Sequence, residues 1–161
     1  MTAINKAVSD HEGSVALTSD DDTMNRVTLS NDKHDTINIE STTLDASLEQ
    51  FFPVIAKIDV EGYEFPVLKG ACETLKNKTL QALIIELNNS EEKYGYNEQD
   101  ILDLLYGHGF GSYAYDPLKR ELTELKGKDV SSGNTLFIRD RPFIEQRLKT
   151  APKVSIFGCT F

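Results

Sequence analysis

Apolar and polar positions along this chain repeat with two different periods, and the changes of period mark its elements. The runs INKAVSD, from Ile4, and GSVALT, from Gly13, are short and β-like. They flank Asp10-His11-Glu12-Gly13, which reads as a hairpin loop ending in glycine. The next stretch, from Ser19 to Asp35, is polar with little periodicity and reads as an exposed loop. Thr36–Glu40 (TINIE) alternates like a half-exposed strand. Asp45–Phe52 suits a short helix that stops before Pro53. Val54–Val60 (VIAKIDV) is mostly apolar and β-branched, as expected of a parallel strand covered on both faces. Pro66 then falls where a first helical turn tolerates proline. Phe65, Leu68, Cys72 and Leu75 recur at helical spacing, so a helix with one buried face is expected over 65–76.

Ala82–Leu87 (ALIIEL) is the next apolar strand. Asn97-Glu98-Gln99-Asp100 has the form of an N-cap and acidic first turn, opening an amphipathic helix that ends at Gly107 or Gly109. GSYAYD, RELTEL and TLFIRD are expected as strands, with a turn at Asp116-Pro117, and PFIEQRLK as a late helix. The middle of the chain therefore reads β-α-β-α-β-(β)-β, which indicates a parallel sheet with helices packed on it, an α/β fold. Gly107-x-Gly109-x-Gly111 follows a helix and precedes a strand, the reverse of a phosphate-binding loop, so it reads as a helix end and turn.

Length and charge narrow the picture. The 161 residues suit a single domain, with boundaries drawn at 1–53 (hairpin, loop, short helix), 54–140 (core) and 141–161 (tail). A net charge of −9 argues against nucleic acid or an anionic membrane as the main partner. The basic residues Arg139, Arg141, Arg147, Lys149 and Lys153 are scattered and read as a solvated face. No segment has the roughly 18–20 apolar residues that span a bilayer, and no signal peptide is visible. Cys72 and Cys159 have neither metal spacing nor a disulfide framework, so buried free thiols and a cytoplasmic location are expected. His11, His34 and His108 are spread through turns and loops without a nucleophile partner and read as surface residues.

The candidate chemistry is acidic. In Lys57–Ala71 (KIDVEGYEFPVLKGA), Asp59, Glu61 and Glu64 crowd the handover from strand to helix. Ligands of open α/β sheets bind beyond the carboxyl ends of the strands. Asp59 and Glu86 both lie near such ends, and they share a rim if their strands are neighbours. Each acid also has an ordinary reading. Asp59 can cap the following helix. Glu61 and Glu64 are favoured near a helix N-terminus by roughly 0.3–1 kcal/mol. Glu86 can be a salt-bridged rim residue, or a group of raised pKa suited to general-base work. Asp59, Glu61 and Glu64 can together hold a divalent cation, but their spacing matches no known metal loop, so no metal is assigned. Lys57, inside an apolar strand, snorkels or pairs with a nearby acid.

KIDVEGYEFPVLKGA resembles the signature of the FkbM-type S-adenosylmethionine-dependent methyltransferases: a strand, Asp-x-Glu-Gly-x-Glu, then a helix with Leu-x-Gly-Ala. The order of other segments agrees. Asn5-x-Ala7-Val8-Ser9-Asp10-x-x-Gly13, Thr43-Leu44-Asp45, Leu83–Leu87, Gly109-Phe110 and Asn134–Phe137 are each similar to family segments, from about Ile4 to Arg139. The resemblance implies a Rossmann-like class I methyltransferase sheet, S-adenosylmethionine as cofactor, and methyl transfer to a hydroxyl of a sugar or other small-molecule acceptor. It places Asp59 beside the transferred methyl, as cofactor contact or acceptor orienter. Glu61 joins it as a cofactor contact, Glu86 is the candidate base, and Asp10 falls near the adenine end unless it is only a turn former.

One departure stands out. The family's first strand with its Gly-rich loop, and the second strand with its ribose-binding acid, find no counterpart. The expectation is thus an N-terminally incomplete sheet, 1–161 being one partial domain. The family order puts the first strand between the third and fourth, so Val54–Val60 is expected to keep an open edge. That edge invites a homodimer or a partner chain, or a rearranged N-terminal region. The rival reading is a catalytically incomplete α/β domain serving as an interaction module or as half of a split enzyme. A carboxylate-pair hydrolase would explain the acids but not the ordered resemblance.

Overall fold

The computed structural model describes residues 2–20, 24–29, 34–49 and 51–160. It holds two sheets, a main apolar core with a smaller second cluster, and a terminal hairpin. The N-terminal sheet contains β1 (Ala7–Val8), β2 (Gly13–Thr18) and β3 (Thr36–Thr42) in the order β1-β3-β2. This corrects the expected hairpin: β3 lies between the two runs, parallel to β1 and antiparallel to β2. The reason is length. β3 offers β2 six paired positions, from Gly13↔Ser41 to Thr18↔Thr36, and still has Ser41 and Thr42 to offer β1 on its other edge. The Asp10–Gly13 segment crosses the end of β3, where Ser41 Oγ donates to the His11 carbonyl at 3.2 Å. Much of the Ser19–Asp35 loop lies outside the described residues.

The main sheet has the order β4-β5-β8-β6-β7, formed by β4 (Ile55–Ile58), β5 (Ala82–Glu86), β6 (Gly111–Asp116), β7 (Glu121–Glu124) and β8 (Asn134–Ile138). β4 and β5 are parallel, and β8 runs antiparallel between β5 and β6. Before it, α1 (Leu44–Leu48) starts from Thr43, whose hydroxyl accepts from Ala46 N–H at 3.0 Å. One face of the sheet is covered by α2 (Glu64–Lys69), α3 (Cys72–Lys76) and α4 (Glu98–Gly107). Leu68, Ala71, Ile85, Ile101, Leu105 and Phe137 are wholly enclosed there, each large one contributing about 1.5–3 kcal/mol by burial. At the expected N-cap of α4, Asn97 and Asp100 close a capping box. Among the described residues no helix is long and apolar enough to cross a membrane.

The single helix expected over 65–76 is two, α2 and α3, broken at Gly70-Ala71. The backbone of the Ser9-Asp10 turn presses on that break: a Cβ on Gly70 would stand 2.2 Å from the Ser9 carbonyl oxygen. The new helix start is capped from outside. Asp45 accepts from the N–H groups of Glu73 and Thr74, both at 2.8 Å, and from the Thr74 hydroxyl at 2.6 Å. The change of axis turns Val67, Leu68, Ala71 and Leu75 inward and leaves Cys72 exposed, contrary to the buried thiol expected. The Cys159 side chain lies outside the described set. Arg139 is likewise no solvated surface residue. It donates to the carbonyls of Leu80 (3.0 Å), His108 (2.6 Å) and Leu75 (2.5 Å) and stacks 4.2 Å from the Phe110 ring centroid, tying the ends of α3 and α4 to the sheet.

β4 is an edge strand, and it is not covered on both faces. Ala56 and Ile58 face the helices, while Ile55 and Lys57 are exposed on the other side. The helix that packs on that second face is α5 (Arg141–Thr150), whose Ile144 and Leu148 rest against Ala82, Tyr113, Leu122 and Ile138. Ala82 begins β5 and Ile138 ends β8, so α5 shields the end of the sheet remote from the strand tips of β4 and β5. The tail closes as a hairpin of β9 (Ser155–Ile156) and β10 (Cys159–Thr160), which the sequence pattern did not indicate.

Candidate functional site

The turn after β4 is held by its own third acid. Glu64 is 1% exposed, and its Oε1 accepts from the backbone N–H groups of Val60 and Gly62, both at 3.2 Å. Burial is the main reason its pKa is raised, with the nearby Glu91 charge adding to it. Glu64 is therefore the peg around which the chain folds back. Gly62 takes φ 98°, and a Cβ there would lie 2.6 Å from the Ser90 backbone, so the turn packs directly on the 3₁₀ turn Ser90–Tyr94 that follows β5. Glu61, at φ 53°, is pushed outward by the same bend.

With Glu64 committed to the backbone, Asp59 is left to the rim. It caps no helix: the N-cap of α2 is Tyr63, and no side chain bonds that end. Its partner is Lys57, and this contact is the main reason its pKa is lowered. The oddity of a lysine inside an apolar strand thus resolves into an ion pair on the uncovered face. β4 and β5 are neighbours in register, Lys57 beside Ile84, so two residues further along Asp59 and Glu86 emerge side by side. Burial raises the Glu86 pKa most, and the charges of Asp59 and Glu61 raise it further. The two acids are driven apart: Asp59 stays ionised, and Glu86 becomes the better base. Carboxylate oxygens of Asp59, Glu61 and Glu86 all lie within 4.8 Å of one another. Among the described residues, the acids close enough to share one cation are these three, rather than Asp59, Glu61 and Glu64.

A cleft of about 480 Å³ opens beside this rim, between the end of β1 and the turn after β4. Its walls include Lys6, Val8, Arg26, Asp59, Glu61 and Tyr63. That volume falls within the range of small-molecule sites. Asp10 does not line it. Asp10 is engaged with His11 Nδ1 at 2.7 Å, the main reason its pKa is lowered, and with Lys69 at 3.5 Å, beside the end of α2. The structure thus brings Asp59, Glu61 and Glu86 together and sets Asp10 apart. Sequence reasoning missed Tyr63, whose hydroxyl lies 3.2 Å from Ser9 Oγ and whose ring meets Tyr94 edge-on at 5.1 Å, so that it joins the two halves of the cleft. It also missed Lys6 and Arg26, which no motif marks. A second cavity, of about 70 Å³ beside Asp45, Phe51 and Leu80, is remote from the acids and too small for a metabolite.

No curated protein and no solved structure gives a significant match to the chain. A family model does: the one described as the methyltransferase FkbM domain matches residues 2–112, more than half of the chain. The match takes in every element from β1 to α4, including the Asp59–Glu64 turn and Glu86. The chain belongs to the FkbM methyltransferase domain family.

Proposed function

We propose that this chain is an S-adenosylmethionine-dependent methyltransferase domain that methylates a hydroxyl oxygen of a small-molecule acceptor. The observation that carries the reading is the pairing of Asp59 and Glu86 at adjacent strand tips with oppositely shifted pKa values. The residues present suit the cofactor in part. The cleft joins apolar walls, Val8 and Val27 among them, to the carboxylates of Asp59 and Glu61, which favour a cationic sulfonium at that end; Lys6 and Arg26 also line it, Lys6 paired with Glu40. Gly62 offers no cradle, because Ser90 already fills the space above it. When bound, the cofactor supplies an electrophilic methyl group. Asp59, ionised and fixed by Lys57, orients the approach from the rim. Glu86 would take the proton from the acceptor hydroxyl, whose oxygen would gain the methyl as the methyl–sulfur bond breaks and a neutral thioether leaves.

Calorimetric titration of S-adenosylmethionine and of its neutral demethylated product into this chain tests the reading. The cationic form should bind tighter, and D59N should reduce that preference while leaving the neutral product's affinity nearly unchanged. Failure of both compounds to bind would overturn it. The family match supports an enzyme rather than a bare interaction module. The unpaired edge of β4, with Phe51, Phe52, Val54 and Ile55 exposed beside it, supports a companion proposal that a second copy covers this edge. A monodisperse monomer by light scattering at high concentration would count against it.

A further inference from the structure

Beyond Glu86, on the sheet face away from α2–α4, lies a cavity that the reaction as described does not use. Strand register fixes what lines it. One row across the sheet runs Lys57, Ile84, Leu136, Tyr113. The next row, toward the strand tips, carries Glu86 beside Asn134, with Tyr115 two residues past Tyr113 on the same face. Because α5 shields only the Ala82–Ile138 end, this end stays open. The space is about 300 Å³, floored by Ile84 and Leu136 and walled by Tyr113, Tyr115, Asp129 and Asn134. It adjoins the acid rim: a Cβ on Gly133 would sit 3.4 Å from Glu86 Oε1. Asp59, Glu61 and Glu86 therefore stand between two cavities, the larger beside Asp59 and Glu61 and this one beside Glu86.

We infer that this 300 Å³ cavity beside Glu86 is the acceptor site, built for a neutral hydroxylated ring, with Tyr115 and Asn134 as its specificity contacts. The inference rests on the methyltransferase reading. Its floor is aliphatic and its rim polar, which suits a ring with an apolar face and hydroxyls at its edge. From Glu86 across Asn134 to Tyr115 is two strand spacings, about 10 Å, room for one hexose-sized ring with a hydroxyl at Glu86. The Tyr115 phenol and the Asn134 amide hold no hydrogen bond among the described residues and remain available to a ligand. Asp129 presents one carboxylate oxygen to Ser131, whose N–H and hydroxyl donate to it at 2.9 and 2.6 Å, and keeps the other. Among the described residues no lysine or arginine lines the cavity. Two cations on this face are paired: Lys57 with Asp59, and Arg141, 5.6 Å over the Tyr113 ring, with Glu145 and Glu124. With Asp129 and Glu86 uncompensated, phosphorylated or carboxylated acceptors are disfavoured.

The test is an amide-resolved NMR titration of the chain with methyl α-glucopyranoside, glucose 6-phosphate and glucuronate, with no methyl donor present. The neutral glycoside should shift the amides of Tyr115 and Ser131–Asn134. Y115A and N134A should each weaken it roughly tenfold, the weight of one hydrogen bond or one ring contact. Tyr115 and Asn134 are solvent-facing, so both variants should keep the wild-type amide spectrum elsewhere. The two anionic sugars should leave the Ser131–Asn134 amides unmoved. Shifts confined to other surfaces, no saturable shift, equal binding of the anions, or unchanged affinity in both variants would each overturn the acceptor site. The outcome is separable from the donor titration. If the glycoside binds and neither cofactor form does, the methyltransferase reading fails while the cavity stands. If the cofactor binds and the glycoside does not, the acceptor site alone falls.

Discussion

Replacing Glu64 tests whether the signature turn is built around a buried carboxylate. In E64A the N–H groups of Val60 and Gly62 lose the oxygen that accepts both at 3.2 Å. A buried donor left without a partner costs about 1–3 kcal/mol. The Gly62 group is fully buried and takes the upper part of that range, while the Val60 group is partly buried and reaches water, taking the lower. The loss is therefore about 3 kcal/mol. E64Q keeps a carbonyl oxygen for the same two donors and removes a charge that burial disfavours, so it should stand within about 1 kcal/mol of wild type near neutral pH. The pH dependence follows from the raised pKa. A folded-state pKa above the ordinary 4.5 gives a contribution fully present below the unfolded value and lost as pH rises through the folded one. Wild type should therefore lose stability relative to E64Q as pH climbs from 4.5 upward. Urea titration followed by far-ultraviolet circular dichroism measures this. With a slope of about 2 kcal/mol/M, E64A should move the midpoint by about 1.5 M. Indistinguishable midpoints for E64A and E64Q would refute the pegged turn.

Three further outcomes are expected. G70A should destabilise the chain by more than about 2 kcal/mol, since its Cβ meets the Ser9 carbonyl oxygen at 2.2 Å and the contact is backbone, not a movable side chain; exchange of the Ser9 amide, bonded to Thr42 at 2.8 Å, should quicken most, and unchanged exchange there would contradict the account. D45A removes three bonds at the start of α3 and should cost about 2 kcal/mol, read from the urea midpoint, with D45N recovering part of it. Carboxyl-detected NMR titration should find Glu86 ionising above 4.5 in the wild type and lower in D59N, yet still above 4.5, because burial outweighs the Asp59 charge; a Glu86 pKa indifferent to D59N would mean the two acids do not share a rim.

What was legible in the sequence was legible for geometric reasons. Period-two alternation fixes which strand residues share a face, and a β-α-β connection fixes that consecutive strands run parallel. Those two facts suffice to bring Asp59 and Glu86 to one rim, as they do here. The Asn97–Asp100 capping box was equally local and equally readable. Apart from the local tail hairpin of β9 and β10, the misses are contacts between segments distant in sequence. Nothing near Cys72 announces that Ser9 will press on Gly70, break the helix and swing the thiol to solvent. Nothing in Ile55 or Lys57 announces that the strand's second face will go uncovered, because that depends on where α5 settles some ninety residues later. The same limit separates the three acids of the signature. On spacing alone Glu61 and Glu64 are alike, both near a helix start. The fold makes one a buried peg for two amides and sends the other to the rim. The peg determines the rim: by taking the Val60 and Gly62 amides, Glu64 frees Asp59 from capping and leaves it to Lys57, and that ion pair keeps Asp59 charged beside Glu86. The base strength of Glu86 thus depends in part on a carboxylate that never reaches the cleft, so E64A should lower the Glu86 pKa even where the chain stays folded, by releasing the turn that holds Asp59 beside it.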